Sequence, residues 1–162
     1  MAADLDESPR PGEPPLVYVE RLALEKASAI ARARPDALVI GADTTVVVDS
    51  LALGKPRDTA DAAEMLAMLG GRAHDVLTGV ALVSPRGARS AVERTRVWFD
   101  PMTPAEIARY VATGEPLDKA GAYAIQGLAS RYIPRIEGSY TNVVGLPVAL
   151  VVRLMAELQF ER

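Results

Sequence analysis

The sequence predicts an α/β domain, and three observations carry that expectation. Strand-like and helix-like patterns alternate along the 162 residues, 49% of which are apolar, enough to bury a core. Residues 37–49 form an almost unbroken apolar run, the pattern of a strand covered on both faces. Proline, glycine and a capping-box signature punctuate the remaining segments at helix-like and hairpin-like spacings.

Taken in order, residues 1–14 are polar, acidic and proline-rich and read as a loop or partly ordered arm. Over residues 16–34, Leu16, Val19, Leu22, Ala23, Lys26 and Ile30 recur at helical spacing behind Pro14-Pro15, so a helix is expected, ended by Pro35-Asp36. The apolar strand follows. A loop then holds Gly54-Lys55-Pro56, and Thr59 is the expected cap of a helix over 60–69 that Gly70-Gly71 closes. Residues 74–84 and 89–99 are β-rich runs joined by Pro85-Arg86-Gly87-Ala88, a hairpin signal. Thr103-Pro104-Ala105-Glu106 opens a helix over 104–113 that Gly114 closes. Glycine-rich loops and short strands are expected over 115–145. Pro147 then opens a last helix running to about Phe160. One domain accounts for residues 1–162.

Composition removes several functions. The net charge is −3 and no dense Lys/Arg cluster occurs, so neither nucleic acid nor an anionic membrane surface is an expected partner. With no cysteine and one histidine, His74, thiolate chemistry and multi-histidine metal sites are excluded. No apolar stretch is long enough to span a bilayer and the first residues are not signal-like, which points to the cytoplasm. A metal, if used, should be a hard, oxygen-ligated ion such as Mg²⁺ or Mn²⁺.

Asp43 carries the most information. A lone carboxylate between two apolar runs is costly to desolvate unless something pairs with it or uses it. It is either a strand-end aspartate paired with a nearby lysine, or a general base or metal ligand at the mouth of a sheet, where α/β sheets take their ligands. Thr44 beside it is either a β-forming residue or a hydroxyl facing a base or phosphate. Lys26 and Lys55 read individually as solvated lysines and collectively as cations gathered round the acid. The segment Asp118-Lys119-Ala120-Gly121-Ala122-Tyr123-Ala124-Ile125-Gln126-Gly127 sets small residues around charged ones, as tight packing about a polar site requires. Glu137-Gly138-Ser139-Tyr140-Thr141-Asn142-Val143-Val144-Gly145-Leu146-Pro147 has a similar character. No P-loop is present. His74 reads as a hydrogen-bonded strand residue, and Trp98 and Phe99 as core.

Gly41-Ala42-Asp43-Thr44, Gly54-Lys55-Pro56, the stretch 114–127 and the stretch 138–147, in that order, resemble the Maf family of nucleoside triphosphate pyrophosphatases, from about Asp4 to the last helix. The resemblance implies a mixed, twisted sheet flanked by helices, as in the inosine-triphosphatase-like folds. It implies cleavage between the α- and β-phosphates with a divalent cation, a house-cleaning role linked to arrest of cell division, and a homodimer. It makes Asp43 the proton acceptor and Glu7 and Asp43 the metal-side carboxylates. It sets Lys26, Lys55 and Lys119 among the phosphate-binding groups, and makes Thr44 and Gln126 the determinants of base preference. The Thr and Gln pair resembles the dTTP/UTP branch; the 7-methyl-GTP branch carries Gln after the aspartate and Glu later. Family members begin with a strand and a Ser-rich, Pro-Arg-Arg turn whose arginine contacts phosphate. No matching turn stands ahead of Glu7, so the expectation is an N-terminally incomplete domain. The alternative readings are a non-catalytic nucleotide-binding remnant and a pyrophosphatase for another modified nucleotide.

Overall fold

A computed structural model describes residues 5–160, so Met1–Asp4, where the family resemblance begins, lie outside the described residues. The expected α/β architecture is present. Helix α1 (Pro15–Ala33) leads into strand β1 (Val39–Val48) and β2 (Leu51–Leu53). Helix α2 (Thr59–Leu69) precedes β3 (Ala73–Ser84) and β4 (Gly87–Trp98). Helix α3 (Pro104–Val111) follows, then three 3-10 turns, β5 (Arg135–Glu137), α4 (Tyr140–Val144) and α5 (Val148–Glu157). The strands form one sheet in the order β2-β1-β3-β4-β5. β2 pairs antiparallel with β1, with Val46 opposite Leu53, and β5 pairs antiparallel with β4, with Val97 opposite Ile136.

The chain forms two compact units. The first comprises the described parts of Met1–Thr44, Leu77–Glu93 and Gly145–Arg162; the second comprises Thr45–Val76 and Arg94–Val144.

In the first unit, β3 alternates its sides as a pleated strand must. Val80 and Leu82 pack with Leu150, Val151 and Leu154 of α5 and with Leu158 just after it, while Ala81 packs with Ala23 and Ala27 of α1. Small residues let α1 lie close to the strands. A Cβ on Gly41 would stand 2.2 Å from the Ala23 carbonyl oxygen, and one on Gly79 would stand 2.2 Å from that of Val19. The expectation that β1 is covered on both faces holds only in part: Ile40, pointing away from Gly41, stays 45% exposed.

The second unit has its own core. Leu66 and Leu69 of α2, Ile107, Tyr110 and Val111 of α3, and Tyr123 and Ile125 surround Val46, Val76, Val97 and Phe99. Each fully buried aliphatic side chain of this kind contributes roughly 1.5–3 kcal/mol. The capping box at α3 forms in both directions: the Thr103 hydroxyl accepts from Glu106 N–H, and Glu106 Oε2 accepts from Thr103 N–H at 2.8 Å. The expected cap of α2 moves by one residue. Asp58, not Thr59, is the cap, its extended backbone aiming Oδ1 at Asp61 N–H, 2.8 Å away. A carboxylate there also complements the helix dipole, which a threonine hydroxyl does not.

Candidate functional site

In the first unit three sequence-predicted residues converge. Lys26 lies on α1 and Asp43 on β1, and the Gly41 contact between these elements brings them together. The Lys26 ammonium donates to Asp43 Oδ1 at 2.7 Å and lies 2.9 Å from Glu7 Oε1. The Asp43 side chain is 13% exposed and that of Lys26 24%, so the pair is shielded yet reachable. Burial alone would pull the Lys26 ammonium down, but its hydrogen bonds to Asp43 and Glu7 outweigh that and raise it. Asp43 is therefore paired with a lysine, as the plainer of its two sequence readings requires, and it also belongs to a charged cluster.

Glu7 reaches this cluster because the proline-rich arm is tied down. Arg21 grips Glu13 through two hydrogen bonds, of 2.6 and 2.8 Å, and also donates to Glu25 and the Ser8 carbonyl. The Arg21 guanidinium pulls the Glu13 carboxyl down to about 2. The Tyr18 hydroxyl donates to the Glu7 carbonyl at 2.9 Å. Tyr18 is pushed up first by burial and then by the negative charges of Asp43 and Glu7.

Thr44, next to Asp43, does not project freely. Its hydroxyl shares a 2.9 Å hydrogen bond with the buried Thr78 hydroxyl and lies 3.4 Å from the Gly145 carbonyl oxygen. Sequence reasoning missed Thr78 and Tyr18. Thr78 left a usable signal, a single hydroxyl inside the apolar run Val76-Leu77-Thr78-Gly79-Val80. Tyr18 left none, since one tyrosine on a half-buried helix is unremarkable.

The second unit gathers the other cations. Gly121 N–H donates to the Gly54 carbonyl at 3.1 Å, joining the Gly54-Lys55-Pro56 turn to the Lys119 segment. Gly121 has φ +69°, and a Cβ there would stand 2.7 Å from a Val46 methyl, so only glycine closes this junction. Lys119 donates to Asp118, and the Asp118 carboxyl is held below its ordinary value by Lys119 first and by Lys55 among the lesser causes. Gln126 is exposed on the rim of a groove of about 480 Å³ whose lining includes Ile125, Ile133, Ile136, Arg135 and Tyr140.

His74 is the structural residue expected: 2% exposed, its Nε2 is hydrogen-bonded to the Tyr123 hydroxyl at 2.7 Å. Phe99 is core, but Trp98 is half-buried, with the Arg96 and Arg135 guanidinium groups over its ring at 5.9 and 4.3 Å. Among the described residues no group of three or more His, Cys, Asp or Glu side chains gathers to hold a metal. Glu7 and Asp43 do bring two hard carboxylates to one cationic centre. No described helix is long and apolar enough to cross a membrane.

The family model described as "Maf-like protein" matches residues 1–158. A protein of Acinetobacter baylyi named dTTP/UTP pyrophosphatase is 45% identical over 158 residues, 98% of this chain and 86% of that protein. Proteins of the same name from Hahella chejuensis and an Anaeromyxobacter species are 52% and 54% identical. Those matches cover 96% and 94% of this chain and 79% and 75% of those proteins. A family match across nearly the whole chain, together with the predicted motifs in their folded places, establishes that this chain belongs to the Maf family.

Proposed function

We propose that this chain hydrolyses dTTP and UTP between the α- and β-phosphates, releasing the nucleoside monophosphate and pyrophosphate. The observation that carries the reading is the Glu7–Lys26–Asp43 cluster, found in a chain 45–54% identical to proteins named for that activity. Asp43 is the proton acceptor. Its carboxylate takes a proton from water as the water oxygen bonds to the α-phosphorus and the bond to the bridging oxygen breaks, so that oxygen leaves with pyrophosphate. Lys26 fixes the orientation of that carboxylate. Lys55 and Lys119 bind phosphate oxygens, where positive charge stabilises the transition state more than the ground state.

Glu7 and Asp43 fit a divalent cation, since Mg²⁺ and Mn²⁺ take hard oxygen donors and Mg²⁺ is commonly held by one or two carboxylates plus substrate phosphates. When bound, the cation neutralises phosphate charge and assists departure of pyrophosphate. Thr44 and Gln126 set the base preference.

The test is pyrophosphate release from dTTP, UTP, CTP, GTP and 7-methyl-GTP with Mg²⁺ or Mn²⁺. Fastest turnover of dTTP and UTP is expected, with Asp43→Asn slowed by about 10²–10⁴-fold, the usual contribution of a general base. Preference for 7-methyl-GTP, or full activity of Asp43→Asn, would overturn the proposal.

A further inference from the structure

The arm that carries Glu7 has almost nothing apolar to hold it. Every residue from Asp6 to Gly12 is exposed, and none of residues 5–13 lies in a helix or strand. The Glu7 side chain is itself 51% exposed, yet its carboxylate stands 2.9 Å from the Lys26 ammonium. Ordering a segment costs conformational entropy that apolar burial usually offsets. Here polar contacts have to do so.

Those contacts converge on one side chain of α1. The Arg21 guanidinium donates to both carboxylate oxygens of Glu13, at the foot of the arm, and to the carbonyl of Ser8, the residue after Glu7. Another of its N–H groups donates to Glu25 at 3.1 Å, and Glu25 in turn accepts from the Arg10 guanidinium at 3.2 Å. Glu13 Oε2 also accepts from Arg10 N–H at 3.0 Å. One guanidinium thus holds residues 8, 10 and 13, directly or through a carboxylate. Exposed ion pairs contribute little, but this pair is bidentate, belongs to a network, and has side chains only 13% and 6% exposed. Tyr18 adds a tie to the Glu7 carbonyl, and Arg21 lies 5.6 Å from the centroid of that ring. The helix does not need Arg21 to stay docked, because Val19, Leu22, Ala23 and Ala27 bury its opposite side.

Resting on the proposed dTTP/UTP hydrolysis, we infer that Arg21 is a positioning residue for Glu7. Its grip on Glu13 and the Ser8 carbonyl sets the fraction of molecules in which Glu7 stands at Lys26 and Asp43. A ligand whose site is assembled in only a fraction of molecules binds with its affinity reduced by that fraction. The ligand concerned is the divalent cation that Glu7 and Asp43 fit. Loosening the arm therefore raises the cation requirement.

The experiment uses the full chain as wild type, Arg21→Ala, Arg21→Lys, Glu13→Gln and Glu7→Gln, with Arg21→Ala also made in the Glu7→Gln background. Amide hydrogen exchange without metal or nucleotide reads the arm directly. Residues 5–13 should exchange about tenfold faster in Arg21→Ala and Glu13→Gln, with α1 still protected. The Mg²⁺ concentration for half-maximal dTTP turnover should rise about tenfold in both, with kcat at saturating Mg²⁺ falling much less. Arg21→Lys should recover little, since an ammonium does not reproduce the fork on two carboxylate oxygens. In the Glu7→Gln background Arg21→Ala should add no further rise, because the carboxylate it delivers is gone. Glu13→Gln breaks the same grip from the arm and decides the matter if Arg21→Ala does not fold. An unchanged Mg²⁺ requirement, a fall in kcat alone, or an equal further rise in the Glu7→Gln background overturns the inference. If wild type hydrolyses neither dTTP nor UTP, the hydrolytic reading fails by itself. The positioning role is then read from exchange: an arm released by Arg21→Ala and Glu13→Gln supports it, and an arm indifferent to both removes it.

Discussion

Between pH 7 and 5, above the range in which lowered carboxyls such as Glu13 take up protons, acid should destabilise this protein chiefly through one side chain, His74. It is the only histidine in the chain and it is 2% exposed. Its ring meets Phe99 and Tyr123 edge-on at 5.3 and 5.4 Å, Nε2 is bonded to the Tyr123 hydroxyl, and Nδ1 is buried with no hydrogen-bond partner. Burial disfavours the imidazolium and lowers His74 from 6.5 to about 4, against a weaker upward pull from Asp75. The unfolded chain therefore takes up the proton first as pH falls. The stability tied to the neutral ring is complete above pH 6.5 and declines between 6.5 and 4. That gap corresponds to about 3 kcal/mol at ~1.36 kcal/mol per tenfold step, of which about 2 kcal/mol is gone by pH 5. Urea unfolding at pH 7 and pH 5 should show this loss in wild type and not in His74→Gln, whose side chain does not titrate. The two curves are compared for their pH dependence, because losing the Tyr123 contact lowers the variant's stability at every pH. The single imidazole Cε1 proton gives a direct second reading by NMR. A titration midpoint near 6.5, or equal pH dependence in the two proteins, would refute the reasoning.

Three further outcomes follow from local geometry. Asp58→Ala should lower unfolding free energy by about 0.5–2 kcal/mol and Thr59→Ala by a few tenths, read by thermal melts, because Asp58 carries the cap of α2. Gly41→Ala should cost roughly 1–3 kcal/mol, since its methyl would meet the Ala23 carbonyl and force α1 off β1. The same substitution should lower activity in proteins that remain folded, by separating Lys26 from Asp43. Lys26→Met should cut kcat/KM by about 10²–10³-fold, with far-UV circular dichroism unchanged, as expected when a preorganised cation is removed.

Where local chemistry decides an element, the sequence showed it; where distant residues decide, it did not. The α3 capping box and the periodicity of α1 are local, and both elements stand within a residue or two of expectation. The β1–β2 hairpin escaped notice because its two-residue turn is Asp49-Ser50. Both residues adopt positive φ, 48° and 66°, without the glycine that would mark such a turn. The sequence predicts loops and short strands where the 3-10 turns after α3 stand, since their hydrogen bonds span too few residues to leave a period. Arg21, half-buried on α1, gives no hint in the sequence that it ties down the arm carrying Glu7, because its partner Glu13 stands in a proline-rich stretch with no periodic pattern.

The candidate site shows the same division within a single motif. In Gly41-Ala42-Asp43-Thr44 the aspartate stood out at once, because a carboxylate inside an apolar run demands an explanation. The glycine did not, although the cluster depends on it. With any side chain at position 41, α1 could not approach β1, and Lys26 could not reach an acid seventeen residues further along the chain. Thr44 completes the motif from the other side, through the Thr78 hydroxyl and the Gly145 carbonyl. The four residues thus act as one device: a gap that admits a helix, an acid that meets the lysine the helix brings, and a hydroxyl tied to the next strand and the loop before α5. Proteins with the aspartate but a larger residue at the glycine position should have lost the lysine contact as well.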